Sequence, residues 1–136
     1  MQRNALNQYQ QVGIQTARPE QILLMLYDGA INYCERARLA YTRGDCAAGG
    51  GPIGRCQAIL FELMSTLDRS AAPELCLNLE RLYAYMIRRL GEGQINKDTK
   101  AMEEVKGLLS TLREGWAQAV AQLRVTAASK DVGGAP

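Results

Sequence analysis

The chain predicts an all-α protein, an antiparallel up-down four-helix bundle with an N-terminal covering segment or short extra helix. Three observations lead there: four stretches repeat apolar residues at helical spacing, the stretches are similar in length, and the breaks between them are short and marked by Pro or Gly. At 136 residues the chain forms one domain, long enough to bury a core of its own.

Residues 1–18 are polar, with isolated apolar side chains at Leu6, Tyr9, Val12 and Ile14 and no sustained stripe. They read as a segment packing on the body. The first long helix runs from Pro19, whose missing N–H is no loss in a first turn, to about Arg43, and stops at Gly44-Asp45. Its apolar residues, from Ile22, Leu23, Leu26 and Tyr27 to Cys34 and Tyr41, cover roughly half of the helix circumference, where about 100° suffices for an ordinary surface helix. The surplus, chiefly Leu24 and Ile31 on one flank, needs cover from the same chain or from another protein.

The run Ala47-Ala48-Gly49-Gly50-Gly51-Pro52 reads as a loop, so the second helix is expected from Ile53 to Leu67 with Ile53, Cys56, Ile59, Leu60, Leu63, Met64 and Leu67 inward and Phe61 on the far side. The third starts at Pro73 and runs to Leu90, with Leu75, Leu79, Leu82, Tyr83, Met86 and Leu90 inward; Gly91 and Gly93 are expected to end it. Asn96 or Asp98 caps the fourth, from Thr99 to Leu123, whose inward stripe is Met102, Val105, Leu108, Leu109, Leu112, Trp116, Val120 and Leu123. The domain reading is therefore residues 1–18 as a covering segment, 19–124 as the bundle and 125–136 as a small, polar, disordered tail.

Bulk chemistry excludes several classes. A composition of 47% hydrophobic and 22% charged residues is ordinary for a soluble globular protein, and a net charge of +2 with scattered basic residues gives no nucleic-acid footprint. No signal-peptide region or membrane-length apolar run is present, so the protein is expected in the cytoplasm with no membrane insertion. Zero histidines remove the Glu-x-x-His metal sets of bundles and the Ser-His and Cys-His nucleophile pairs. The carboxylates Asp28, Glu35, Glu62, Glu80, Glu103 and Glu104 fall mainly outside the inward arcs, and Cys34, Cys46, Cys56 and Cys76 read as reduced, small hydrophobes. The glycine cluster lacks the Lys-Ser/Thr pair and the preceding strand of a phosphate-binding loop. No enzyme, cofactor or metal site is expected.

What remains is apolar surface beyond the needs of the core: Leu24, Ile31, Phe61, Leu77 and Ile87. Tyr27 and Tyr83 fit either core or interface, whereas Tyr9 and Tyr85 fit a surface role. If contiguous, such residues form a groove whose natural occupant is another helix.

Three segments, ARPEQILLMLYDGAI (17–31), NLERLYAYMIRRL (78–90) and EEVKGLLSTLREGWAQA (103–119), stand in an order and at separations that resemble the bacterial flagellar secretion chaperones, the FliS family. The resemblance runs from about Tyr9 to about Trp116 and implies a cytoplasmic type III export chaperone. By the family's mode it binds the disordered C-terminal segment of flagellin, prevents premature polymerisation and aids secretion, with the export gate and flagellar regulators as further partners. It makes Tyr9, Ile14, Leu24, Tyr27, Ile31, Phe61, Leu77, Tyr83 and Ile87 the partner-binding candidates, with Tyr9 and Ile14 plugging the groove in the free state. Two departures stand out: relatives carry a more polar stretch in place of the glycine cluster, and Ser where this chain has Arg18, so the first helix lacks its usual cap. The competing readings are a helical adaptor that uses the same groove for another flagellar regulator or protein, and a small enzyme built on Cys or carboxylates.

Overall fold

The computed structural model describes residues 18–133, so Tyr9 and Ile14 lie outside the described residues. Four helices fill that span: α1 (Pro19–Thr42), α2 (Cys46–Ser65), α3 (Pro73–Asn96) and α4 (Thr99–Gly133). Each packs on its neighbours in the cyclic order α1, α2, α3, α4 and back to α1. Cross-helix pairs show the alternating directions. Glu35 and Asp28 of α1 meet Lys106 and Arg113 of α4, so one series falls as the other rises. Gln57 of α2 reaches Ile87 of α3, and Gly93 of α3 meets Ala101 of α4. The expected all-α bundle is the fold found.

The core is the sum of the four stripes, and it includes Ala30, Cys34 and Ala37 from α1, Ile53, Ile59, Leu60 and Leu63 from α2, Leu79, Met86 and Leu90 from α3, and Met102, Val105 and Leu109 from α4. Apolar burial on this pattern is the main favourable term in folding. All four cysteines are free thiols, with Cys34 Sγ and Cys56 Sγ 3.5 Å apart inside the α1–α2 seam.

The helix ends explain where the sequence reading moves. Arg18 has no side-chain acceptor for a first-turn N–H, but Gln21 Oε1 accepts from the Arg18 backbone N–H at 3.1 Å, supplying the return half of a capping box. At the other end Gly44 takes a φ of +79°, Gly44 N–H bonds Tyr41 C=O and Asp45 N–H bonds Ala40 C=O, the paired closure that favours glycine in the left-handed position.

The second helix does not begin at Ile53. It begins at Cys46, with the Asp45 carboxylate accepting from Ala48 N–H at 3.2 Å, and it carries Gly49, Gly50, Gly51 and Pro52 within it. Gly49 is the reason the run is helical and small: a Cβ there would fall 2.3 Å from Tyr41 Cε2, so the α1–α2 crossing depends on its absence. Likewise α3 does not stop at Gly91. It passes through Gly93, where a Cβ would sit 2.5 Å from that of Ala101, and ends only when Lys97 turns left-handed at φ 54°. Asp98, not Asn96, then caps α4, its Oδ1 accepting from Lys100 N–H at 3.0 Å.

Two inward assignments also change. Leu75 is exposed because it stands in the first turn of α3, past the reach of the neighbouring core. Leu123 continues the inward stripe of α4, yet it is 66% exposed, since α1 starts at Pro19 and nothing among the described residues covers it. The fourth helix itself extends beyond Leu123 to Gly133, through a stretch containing Ala127, Ala128 and Lys130, all good helix formers.

Candidate partner-binding surface

A groove of about 420 Å³ runs along the α1–α4 seam, lined by Ile31, Ser110, Arg113, Glu114, Ala117, Gln118 and Ala121. Ala117 and Ala121 stand one turn apart, so the seam is widened by short side chains while Ile31 supplies an apolar wall from α1. The register extends this wall. Asp28 faces Arg113, and one turn further along each helix places Leu24 level with Ala117. Leu24 is half-buried, as is Ile31.

Charge in the groove is balanced rather than concentrated. Arg113 Nε donates to Asp28 Oδ1 at 2.7 Å and a second guanidinium nitrogen donates to Oδ2 at 3.3 Å, and this carboxylate partner pushes the Arg113 pKa up. One turn beyond Ile31, Glu35 accepts from Arg38 at 2.6 Å and from Lys106 at 3.0 Å, and those bonds hold its carboxyl down to about 2. A surface of this kind receives apolar side chains along its floor and polar groups along its rim. Its one hydroxyl, Ser110, donates to Lys106 C=O at 2.8 Å, and among the described residues no group of three or more Cys, Asp or Glu converges on a possible metal position.

The candidate residues among those described separate into four sets. Ile31 lines the groove, and Leu24 stands two turns before it on the same face of α1, outside the lining itself. Phe61 and Leu77 are 58% and 46% exposed, on α2 and α3, away from Ile31. Tyr27 and Tyr83, by contrast, are core residues at 0% and 1% exposure and form no part of a contact surface in this state. Their hydroxyls are 2.5 Å apart, and Trp116 Nε1–H donates to the Tyr27 oxygen at 3.0 Å, so each polar tip is satisfied inside the bundle instead of at its surface. Burial is the leading cause that raises both phenol pKa values. Ile87 packs half-buried against the core, and its carbonyl accepts from Gln57 Nε2 at 3.0 Å.

The α4 contribution to the groove escaped the sequence reading. Arg113, Glu114 and Gln118 look like an ordinary solvated face, and the available signal was the Ala117/Ala121 pair beside them. Asp28, one of the carboxylates outside the inward arcs, is paired with Arg113.

Comparison with known proteins adds an independent line. The family model described as flagellar protein FliS matches residues 2–123. The chain is 38% identical over 120 residues to a flagellar secretion chaperone FliS of Salmonella typhimurium, spanning 85% of this chain and 89% of that protein. It is 34% identical over 117 residues to the protein of the same description from Bacillus subtilis, spanning 86% of each. A crystal structure titled as a flagellar chaperone from bacteria superposes with a TM-score of 0.72 over 90% of this chain and 99% of that one, at 18% identity, which speaks to the fold.

Proposed function

The chain belongs to the FliS family of flagellar secretion chaperones, and from that premise we propose that it binds the C-terminal segment of flagellin in the cytoplasm, holds it unpolymerised and delivers it for type III export. The family is one of chaperones, not enzymes, and implies a flagellar protein as partner. Among the described residues no helix is long and apolar enough to cross a membrane.

The observation that carries the proposal is the α1–α4 groove, an apolar seam with balanced rim charge and no chemistry of its own. A helix-forming segment laid there buries its apolar side against Leu24, Ile31, Ala117 and Ala121. Phe61 and Leu77, exposed on other faces, offer further contacts to a segment long enough to wrap the bundle. Binding of this kind is coupled to folding, so the ordering cost of the segment trims the affinity and keeps release feasible. Residues 1–18 enter the same reading as the groove's resident competitor, with Tyr9 and Ile14 as its plugs.

The test is calorimetry of the full chain with a peptide covering the C-terminal region of the host flagellin, followed by circular dichroism. Micromolar or tighter binding, a negative heat-capacity change and gained peptide helicity support it. Ala121→Arg fills the groove from an exposed position and weakens binding; undiminished affinity in that variant removes the groove assignment. Deletion of residues 1–15 raises the affinity if they compete. No binding by an intact fold sinks the flagellin reading and leaves a helical adaptor for a different flagellar protein.

A further inference from the structure

The opposite flank of α1 carries a second feature that the groove does not use. Two guanidinium groups lie close to the ring of Tyr33 on α1, Arg36 at 5.6 Å and Arg55 of α2 at 5.8 Å from its centre. Both distances fall within cation–π range. Arg38, Arg69, Arg89 and Arg113 each have a carboxylate partner. Arg36 and Arg55 have none, and no hydrogen bond satisfies either guanidinium among the described residues.

Arg55 makes the absence expensive, because its Nε is buried and unpaired. A buried donor without a partner costs more than a solvated one, and each native example calls for a specific explanation. The acids of α1 cannot supply one: Glu20 stands in its first turn, about four turns before Arg36, and Asp28 and Glu35 point across the other seam, to Arg113 and to Lys106. On α2 the nearest acid on the same face is Glu62, two turns beyond Arg55.

The surroundings favour a chain over a free ion. Gly51 and Ala58 flank Arg55 one turn to either side on α2, both exposed, and a Cβ added to Gly51 would meet nothing within 4 Å. A backbone can therefore approach this part of α2 closely while its acidic side chains reach the Arg36 and Arg55 guanidinium groups, each of which presents planar donors that match a carboxylate bidentately. We propose that Tyr33, Arg36 and Arg55 form a second docking site, on the α1–α2 flank, for a carboxylate-bearing, acidic peptide segment of a partner protein. The site is separate from the groove and stands whatever occupies that groove.

The experiment follows the arginine Nε–Hε signals of the full-length, nitrogen-15-labelled protein. The probes are a short peptide alternating Glu and Ala, its Gln-for-Glu counterpart, and inorganic phosphate at equal ionic strength. The expected result is a saturable shift of the Arg36 and Arg55 signals with the Glu peptide alone. Arg36→Gln, at an exposed position that leaves the helicity intact, weakens it about tenfold, while Arg81→Gln leaves it unchanged. Equal shifts with phosphate would reduce the site to general anion attraction and overturn the proposal. So would equal affinity in Arg36→Gln and the parent, or shifts that never saturate.

Discussion

The Tyr27 hydroxyl of α1 lies 2.5 Å from the Tyr83 hydroxyl of α3, across the diagonal of the bundle, and the same Tyr27 oxygen accepts from Trp116 of α4. One oxygen thus joins three helices at a point closed to water.

Tyr27→Phe removes the shared oxygen and leaves both the Tyr83 hydroxyl and the Trp116 N–H buried or half-buried without their partner. At about 1–3 kcal/mol for each orphaned group, we expect a loss of about 2–4 kcal/mol, against about 1–2 for Tyr83→Phe. Urea unfolding reads both, and the double variant should lose less than the sum because the two share one bond. Burial raises both phenol pKa values above the ordinary 10.0. The folded chain therefore keeps these protons where the unfolded chain releases them. This contribution is whole below pH 10 and fades as the pH rises through the folded values, so the parent should lose stability above pH 10 more steeply than Tyr83→Phe.

The glycines of α2 should respond with opposite signs. Gly51→Ala adds a Cβ that meets nothing beyond its chain neighbours, but the ring of Pro52 crowds a Cβ on the residue before it in helical conformation, so the variant should stabilise by only about 0–0.5 kcal/mol. Gly49→Ala drives a Cβ into the Tyr41 ring and should destabilise by about 1–2 kcal/mol, since the seam must open to admit it. Thermal melts of the two variants compare the effects directly, and like signs would refute the close-approach explanation.

Lys97 closes α3 in the left-handed region at φ 54°, where glycine does so at Gly44 after α1. Lys97→Gly relieves the Cβ strain and should gain about 0.5–1 kcal/mol, read as an upward shift in Tm with unchanged helicity.

Acid should weaken the α1–α4 seam in a defined window. Hydrogen bonds from Arg38 and then Lys106 lower the Glu35 carboxyl from 4.5 to about 2. A depressed carboxylate contributes fully above its unfolded value, and that contribution drains away as the pH falls from about 4.5 toward 2. Glu35→Gln should remove this part of the acid sensitivity while costing little at neutral pH, because partly exposed pairs contribute about 0–1 kcal/mol. Stability curves from pH 7 to pH 2 for both proteins check it.

The four stripes were legible because helical periodicity encodes which side of each helix turns inward, and Ile59, Leu63, Met86 and Leu109 all lie where that period puts them. The extents of α2 and α3 were not. Gly49 and Gly93 break a helix by propensity, and only the approach of Tyr41 and of Ala101 makes their missing side chains a requirement of packing. Tyr27 and Tyr83 were equally opaque: an amphipathic ring fits a surface as well as a core until its hydroxyl finds a buried partner. Half of the groove was hidden for the converse reason. Ala117 and Ala121 among polar neighbours are a faint apolar signal, and they become a floor only when Ile31 stands across from them.

Trp116 is the single tryptophan of the chain, and it sits between two different events. Its indole N–H is tethered to Tyr27, while the next residue, Ala117, lines the groove. The protein thus contains its own optical probe. Loss of the tether on unfolding exposes the ring to water and moves its emission to longer wavelength. An occupant settling beside Ala117 covers the ring further, moves emission the other way and shields it from a dissolved quencher. One unlabelled sample can therefore tell a chaperone that has let its core come apart from one that has taken up its cargo.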